Sequence, residues 1–571
     1  MPTATRAHPT PATARVRVRA QPLLRSKLPL VSLCVLTSVA EASILAGIGA
    51  SWAAGLAPQV SAVAPFGVFH DLRWLVVYHR SWFSFGWEMA LLLGFRSVLD
   101  AGIIRLAWPE DAVAPSFLAA LRRTLIFTGL AVVVIAPWVL LLFGLSVVSL
   151  SWLFFAAVPP VVWVAMLIHP GAVSPGWWRR TVPLRAVGWV ALTFGVMTLA
   201  AGVVSYDRRV LGLPVAALCG LFNAWAWRGM VSAVASPFRS NRFRPVAPAG
   251  LAAIVGVVVG GTALGFGITT ARVHAAGEKA AAAPVAPPSH GPPLMVASGF
   301  GTKWDGRSGP WLAGPFDETR FSYRGLDPAG QPLPYGPQDT DASLEQSAAA
   351  MAAQVDALAN RTHRRVDIVA ASEASLVTEV YLAGWTDAPV DHVVLLSPIV
   401  RPGRVYYPPP GTAGWGMVSG LGLRAITNAL GSLGPFQVSP GTPLFASIER
   451  DAPMLQTALS CPPPTVRLVA ILPLADAVAS PIVGSLGPPT VVVPAFHSGT
   501  LGDPSVDQVV ISLLEGNPVP HPGGWSRFDR ALRGAATAWQ VPELALSVNP
   551  AWALPPGSCG TRPAAPPSGR R

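Results

Sequence analysis

The stretch 366-VDIVAASEASLVTEVYLAGW-385 decides how the C-terminal half of this chain is read. VDIVAA is apolar and β-rich, as a buried strand requires, and SLVTEVYLAGW takes up helical spacing just after Ser372 and Glu373. A serine is thereby placed on a sharp strand-to-helix turn. Its flanking positions, Ala370 and Ala374, are small enough for a tight turn, although the usual form of this motif, G-x-S-x-G, has glycine at both.

Around this stretch, further β-rich runs occur: LMVAS at 294, RFSYRG at 320, HVVLLS at 392, VRLVAI at 466 and TVVVPA at 490. LEQSAAAMAAQVDALANR and SLVTEVYLAGW between them read as helices. Apolar strands separated by helices predict βαβ units and a mostly parallel sheet buried on both faces. Asp476, in LPLADAVASP, and His497, in PAFHSGTLGDP, each follow a predicted strand, at the carboxyl edge where such sheets gather their active groups. A serine hydroxyl becomes a nucleophile when a base takes its proton and a third group orients that base. Ser372, Asp476 and His497 supply those types in the chain order of α/β-hydrolases. Taken singly, Ser372 reads as a turn or helix cap, Asp476 as a loop cap and His497 as a surface histidine; their joint order favours chemistry. Backbone N–H groups of Glu373 and of Phe300 or Gly301, in SGFGT at 298, are the expected oxyanion donors.

Residues 292 to about 540 resemble the α/β-hydrolase superfamily, particularly its bacterial lipase and esterase-like members. The resemblance rests on GFG at 299, YRGLDPAG at 323, AASEA at 370, LPLADAV at 472 and PAFHSGTLGDP at 494, and covers under half the chain. It implies ester cleavage by Ser372, with His497 as base and Asp476 as orienting acid. The alanines of the elbow leave a second reading open, a hydrolase-fold envelope protein that binds a ligand or partner without catalysis. Residues 399 to 460, rich in Pro and Gly, are too long for a simple connection and read as a cap over the site, with a disordered excursion as the alternative.

The N-terminal half has a different logic. Apolar residues make up 51% of the 571-residue chain and charged residues 12%, too little charge for a wholly water-exposed surface. Runs at 28–55, 82–104, 125–145, 147–168, 186–204, 210–232 and 249–271 predict an all-α bundle of about seven membrane spans, followed by the α/β-hydrolase domain. The second run is interrupted by Glu88, Arg96 and Asp100, whose spacing by multiples of four predicts one shared inward face. Arg6, Arg15, Arg17, Arg19, Arg25 and Lys27 precede the first span, which predicts a cytoplasmic N-terminus; an odd number of spans then puts the C-terminal half outside the cell membrane. Arg208 and Arg209, in a loop predicted outside, dissent. The resulting division is a basic tail at 1–27, a multi-pass region at 28–272, an Ala/Pro-rich tether at 273–291, the hydrolase-like domain at 292–540 and an extension at 541–571.

Net charge is +12, but the basic residues border apolar runs instead of forming a stripe with aromatics, so no nucleic-acid partner is expected. The expected partners are an ester or lipid-like substrate and the bilayer. No metal-ligand spacing, phosphate loop or dinucleotide fingerprint occurs, and no cofactor is predicted. Cys34 and Cys219 lie in apolar runs, whereas Cys461 and Cys559 lie in the C-terminal half and are a disulfide candidate if that half is outside. The charged second span motivates a third reading, a transporter or lipid-handling module with an accessory domain.

Overall fold

A computed structural model describes residues 27–145, 165–166, 168–174, 177, 182–235, 291–307, 311–312, 314–385, 387–399, 414–431, 441–460, 463–474, 476, 488–495, 497–520 and 523–542. Among the described residues of the N-terminal half the helices longer than one turn are α1 (Leu28–Gly47), α2 (Phe66–Val77), α3 (Trp82–Leu106), α4 (Phe117–Leu145), α5 (Leu184–Val204) and α6 (Arg208–Ala235). Among the described residues four helices are long and apolar enough to cross a membrane: Leu28–Gly47, Phe117–Pro137, Leu184–Val204 and Arg208–Ala235. They answer to four of the seven expected spans. The run at 249–271 and nearly all of 147–168 lie outside the described residues, as do the tether up to residue 290 and the extension beyond residue 542.

The first expected span is shorter than its apolar run, because α1 stops at Gly47. The chain then turns back, and every residue from Ala53 to His70 is buried. Two 3₁₀ turns and α2 carry this segment, which the hydropathy pattern does not reveal. Irregular backbone is tolerated inside a helical bundle only where protein groups satisfy it. Here Asn223 donates to Pro58 O at 2.8 Å, Arg96 Nη1 to Val60 O at 2.7 Å and Trp227 Nε1 to Ser61 O at 3.0 Å. α1 and α6 meet closely at Gly220, where a Cβ would come within 2.6 Å of Val35 Cα, so only glycine permits that approach.

α3 spans residues 82–104 as one continuous helix, yet it is not among the four helices apolar enough to cross a membrane. Its expected inward triad is corrected by the structure. Arg96 and Asp100 are buried, but Glu88 is not. Arg96 instead makes a two-pronged pair with Asp71 of α2, at 2.8 and 2.6 Å, and lies 3.7 Å from Asp100. The reason is angular: eight residues at about 100° each rotate Glu88 by roughly 80° from Arg96.

Among the described residues the C-terminal half is built on a six-stranded, wholly parallel sheet in the order β2-β1-β3-β4-β5-β6. Its elements are β1 (Pro293–Ala297), β2 (Asp317–Arg320), α7 (Leu344–Thr362), β3 (Val366–Ala371), α8 (Glu373–Gly384), β4 (Val390–Leu396), α9 (Met417–Gly431), α10 (Pro443–Ser460), β5 (Arg467–Pro473), β6 (Thr490–Val493), α11 (Pro504–Leu514) and α12 (Gly524–Ala536). Alternate strand residues feed two cores. Met295, Ala297, Ile368, Ala370 and Val393 pack with α7 and α8, while Leu294, Val296, Val369, Val394 and Ile471 pack with α11. Of the run RFSYRG only the first residue, Arg320, is in a strand; β2 is the polar DETR that ends on it, an edge strand steadied where Glu318 accepts the Trp311 and Leu312 N–H groups. The described part of the 399–460 insertion is helical. α10 packs beside α7 and α8, whereas α9 packs on α4 and α2 of the helical half.

Candidate active site

β1 lies between β2 and β3, so the chain leaves β1 in one direction for β2 and crosses to β3 in the other. The crevice at the carboxyl ends of β1 and β3 is therefore a topological switch point, the usual ligand position in such sheets. Ser372 sits at that point, between β3 and α8. Its φ of 55° and ψ of −118° are a strained combination for a residue with a side chain. The turn is pinned by Ser372 N–H donating to Leu396 O at 2.8 Å. Ala370 and Ala374 are fully buried and do not share the positive φ, so the strain falls on Ser372 alone and the flanking methyl groups are accommodated.

The structure brings the three residues singled out in the sequence together. Ser372 Oγ lies 2.8 Å from His497 Nε2, and His497 Nδ1 lies 2.7 Å from Asp476 Oδ2. A carboxylate only accepts, so Nδ1 carries the proton and Nε2 accepts from the serine hydroxyl. The Asp476 carboxylate has no solvent exposure and the imidazole is 20% exposed, which leaves the ring reachable from one side while its partner stays dry. Sequence reasoning missed Ser397, after β4. With φ 50° it aims its hydroxyl at His497 O, 3.2 Å away, and at Thr500 Oγ1, 2.9 Å away, and so holds the histidine loop. A serine ending an apolar strand is the only signal for it in the sequence.

The loop after β1 lies directly against the serine. A Cβ at Gly299 would stand 2.7 Å from Ser372 Cβ and 3.0 Å from Ala371 O, so glycine is required by the approach of two backbones. One expectation is corrected here: the Gly301 N–H donates to Thr340 Oγ1 at 2.9 Å and is not available to a substrate. Of the other expected donors, Glu373 is at the first position of α8, where an N–H has no acceptor within its helix.

The Glu373 side chain turns inward. Tyr323 donates to its Oε2 at 3.3 Å and also to Ser298 O at 2.7 Å, tying the β1 loop to the elbow. Burial holds the Glu373 carboxyl well above the usual carboxylate range, with Tyr323 opposing and Asp341 adding to the effect. The direction of that shift favours the uncharged form beside the serine. Ser375, three residues on, is buried and donates to Ser372 O, away from His497.

Asp367, Asp391 and His392 bring ligand-type atoms within 4.8 Å of one another. They belong to the beginnings of β3 and β4, the edge opposite Ser372, and His392 already bonds Asp367 at 3.0 Å. Cys461 and Cys559 lie outside the described residues; Cys34 and Cys219 are buried free thiols.

No family model matches this chain, and no curated protein matches it. Among solved structures, lipase B of Aspergillus fumigatus is similar with a TM-score of 0.27 and 14% identity, over 44% of this chain and 63% of that one, so the chain spans less than two thirds of the lipase. An N-formylmaleamic acid deformylase of Pseudomonas putida is similar with a TM-score of 0.26 and 18% identity, over 39% of this chain and 92% of that one. The site rests on its own geometry.

Proposed function

We propose that this chain is a membrane-held serine hydrolase of the α/β-hydrolase type that cleaves an ester. The observation that carries the reading is the continuous hydrogen-bonded series from Ser372 Oγ through His497 to the buried Asp476 carboxylate, mounted on a strained elbow. Ser372 Oγ attacks the ester carbonyl carbon while its proton passes to His497 Nε2. The carbonyl π electrons move onto oxygen, which accepts from the Glu373 and Phe300 N–H groups. When the C–O bond to the alcohol breaks, the alcohol leaves with the proton from Nε2. Water then attacks the acyl-serine with His497 as base again, releasing the acid and restoring the hydroxyl. Asp476 holds the ring in its Nδ1–H form and offsets the charge of the transient imidazolium.

The arrangement of the two halves supports an extracytoplasmic hydrolase. α12 packs on α5 near its carboxyl end, where a Gly202 Cβ would meet Ala535, and α9 reaches Leu140 late in α4. Both contacts are at the end of the bundle where α1, α4 and α5 finish. With the basic N-terminus inside, that end is outside, whatever the total number of spans. An ester of a lipid or another envelope component at that surface is the substrate class this placement favours.

The test is covalent labelling of the full chain, in its membrane, by a fluorophosphonate probe. Labelling is lost in Ser372→Ala, falls by about a thousandfold or more in His497→Ala, and falls less in Asp476→Asn. Ser375→Ala retains it. A folded wild-type protein that does not label sinks the catalytic reading and leaves ligand binding in its place.

A further inference from the structure

We propose that the helical half does more than anchor the hydrolase: through α12 it fixes the position of Asp476, and Arg533 is the positioning residue that transmits this. The inference rests on the hydrolase reading above.

Arg533 Nη1 donates to the backbone carbonyl of Asp476 at 3.1 Å. Its Nε donates to Asp529 Oδ2 at 2.6 Å, four residues back on the same helix, and Asp529 is buried. One side of the guanidinium is thus clamped within α12, and the other holds the peptide that carries the triad carboxylate. The planar, rigid fork of arginine suits this bridging use.

α12 is in turn seated on the bundle. At Gly534 a Cβ would come within 2.2 Å of Ser205 Oγ and 3.5 Å of Gly202 Cα, so the helix lies almost backbone to backbone against the end of α5. Five residues on, Trp539 is buried in a socket of bundle side chains. Its ring stacks on Phe194 at 4.7 Å, meets Phe66 edge-on at 5.3 Å, and its Nε1 donates to Thr198 Oγ1 at 2.9 Å. Two polar groups of the buried re-entrant segment close the lock. Gln59 Nε2 donates to Ala538 O at 2.6 Å, and Arg73 Nη1 donates to Ala538 O and Gln540 O at 2.7 and 2.8 Å. Arg73 has no solvent exposure. A buried guanidinium committed to carbonyls of the other half costs desolvation, and that cost is offset only while those carbonyls stay in place.

Simple packing between halves would account for the Trp539 socket, but not for a bridge from α12 to the triad acid itself. The path Arg73/Gln59 to 538–540, to α12, to Arg533, to Asp476 is continuous. A catalytic group displaced by about 1 Å can lose on the order of a hundredfold in rate, so a partial loosening has a measurable effect.

The experiment measures the maximal inactivation rate and the half-saturating probe concentration for fluorophosphonate labelling of the full chain in detergent micelles. Each variant is first checked for an unchanged thermal transition. Arg533→Met is expected to lower the maximal rate about tenfold with little change in half-saturation, and Arg533→Lys to recover part of it. In the Asp476→Asn background, Arg533→Met is expected to cost nothing further, because its target no longer serves the histidine. Trp539→Ala should show the same rate loss and the same non-additivity; if it does not fold, the Arg533 pair decides. An unchanged rate in Arg533→Met, a loss confined to half-saturation, or full additivity with Asp476→Asn overturns the inference while the hydrolase reading stands. Failure of wild type to label, or persistence of labelling in Ser372→Ala, means that the hydrolase reading itself has failed.

Discussion

Glu379 makes the stability of the hydrolase half depend on pH in a direction opposite to that of an ordinary ion-paired carboxylate. It lies in α8, is 2% exposed, and among the described residues neither of its oxygens has a hydrogen-bond partner. Burial holds its carboxyl well above the ordinary value of 4.5, so the folded chain keeps the proton where the unfolded chain releases it. The stabilisation associated with the bound proton is therefore fully present below pH 4.5 and is lost as pH rises towards the folded value. Within that window each pH unit costs about 1.4 kcal/mol for this one group. Glu379→Gln is neutral in both states, so its stability should fall with pH less steeply than wild type by about 1.4 kcal/mol per unit. Glu373 adds a similar slope to both proteins and cancels from the difference. Urea unfolding of the full chain in detergent micelles, compared at about pH 5 and about pH 6, reads this difference directly. Parallel pH dependences for wild type and Glu379→Gln would refute the reasoning, since they would mean that Glu379 binds protons equally in both states.

Three further outcomes follow from particular contacts. Gly299→Ala places a methyl 2.7 Å from Ser372 Cβ and should reduce fluorophosphonate labelling on the order of a hundredfold; near-normal labelling would show that the β1 loop can move away from the elbow. A reporter active only outside the cytoplasm, fused after Ala276, should be active, because the docking end of the bundle is opposite the basic N-terminus. An inactive fusion reverses the orientation of every described helix. Cys461 and Cys559 should be found joined in a non-reduced peptide map, and recovery of both as alkylated thiols from protein handled without reductant would remove that pairing.

The elbow was legible because its signal is local. VDIVAA has strand composition and SLVTEVYLAGW has helical spacing, and a serine between them has few other places to be. Asp476 and His497 were legible for a related reason: in a parallel sheet the carboxyl ends of all strands face one edge, so residues following separate strands are brought together by topology. What sequence periodicity could not convey is which pairs meet across long separations. Nothing near Arg96 in the chain marks Asp71 as its partner, because that choice depends on how the re-entrant segment threads between α1, α3 and α6. The Gly301 N–H looked available until the fold placed Thr340 against it. The Ser397 hydroxyl and the Glu373 side chain found their partners only when strand ends and the β1 loop converged. The docking of Trp539 into the helical half, across some hundreds of residues of chain, was likewise a decision of tertiary structure alone. Hydropathy reports how apolar a segment is; it does not report which other segment will satisfy the polar groups that burial leaves exposed to no water.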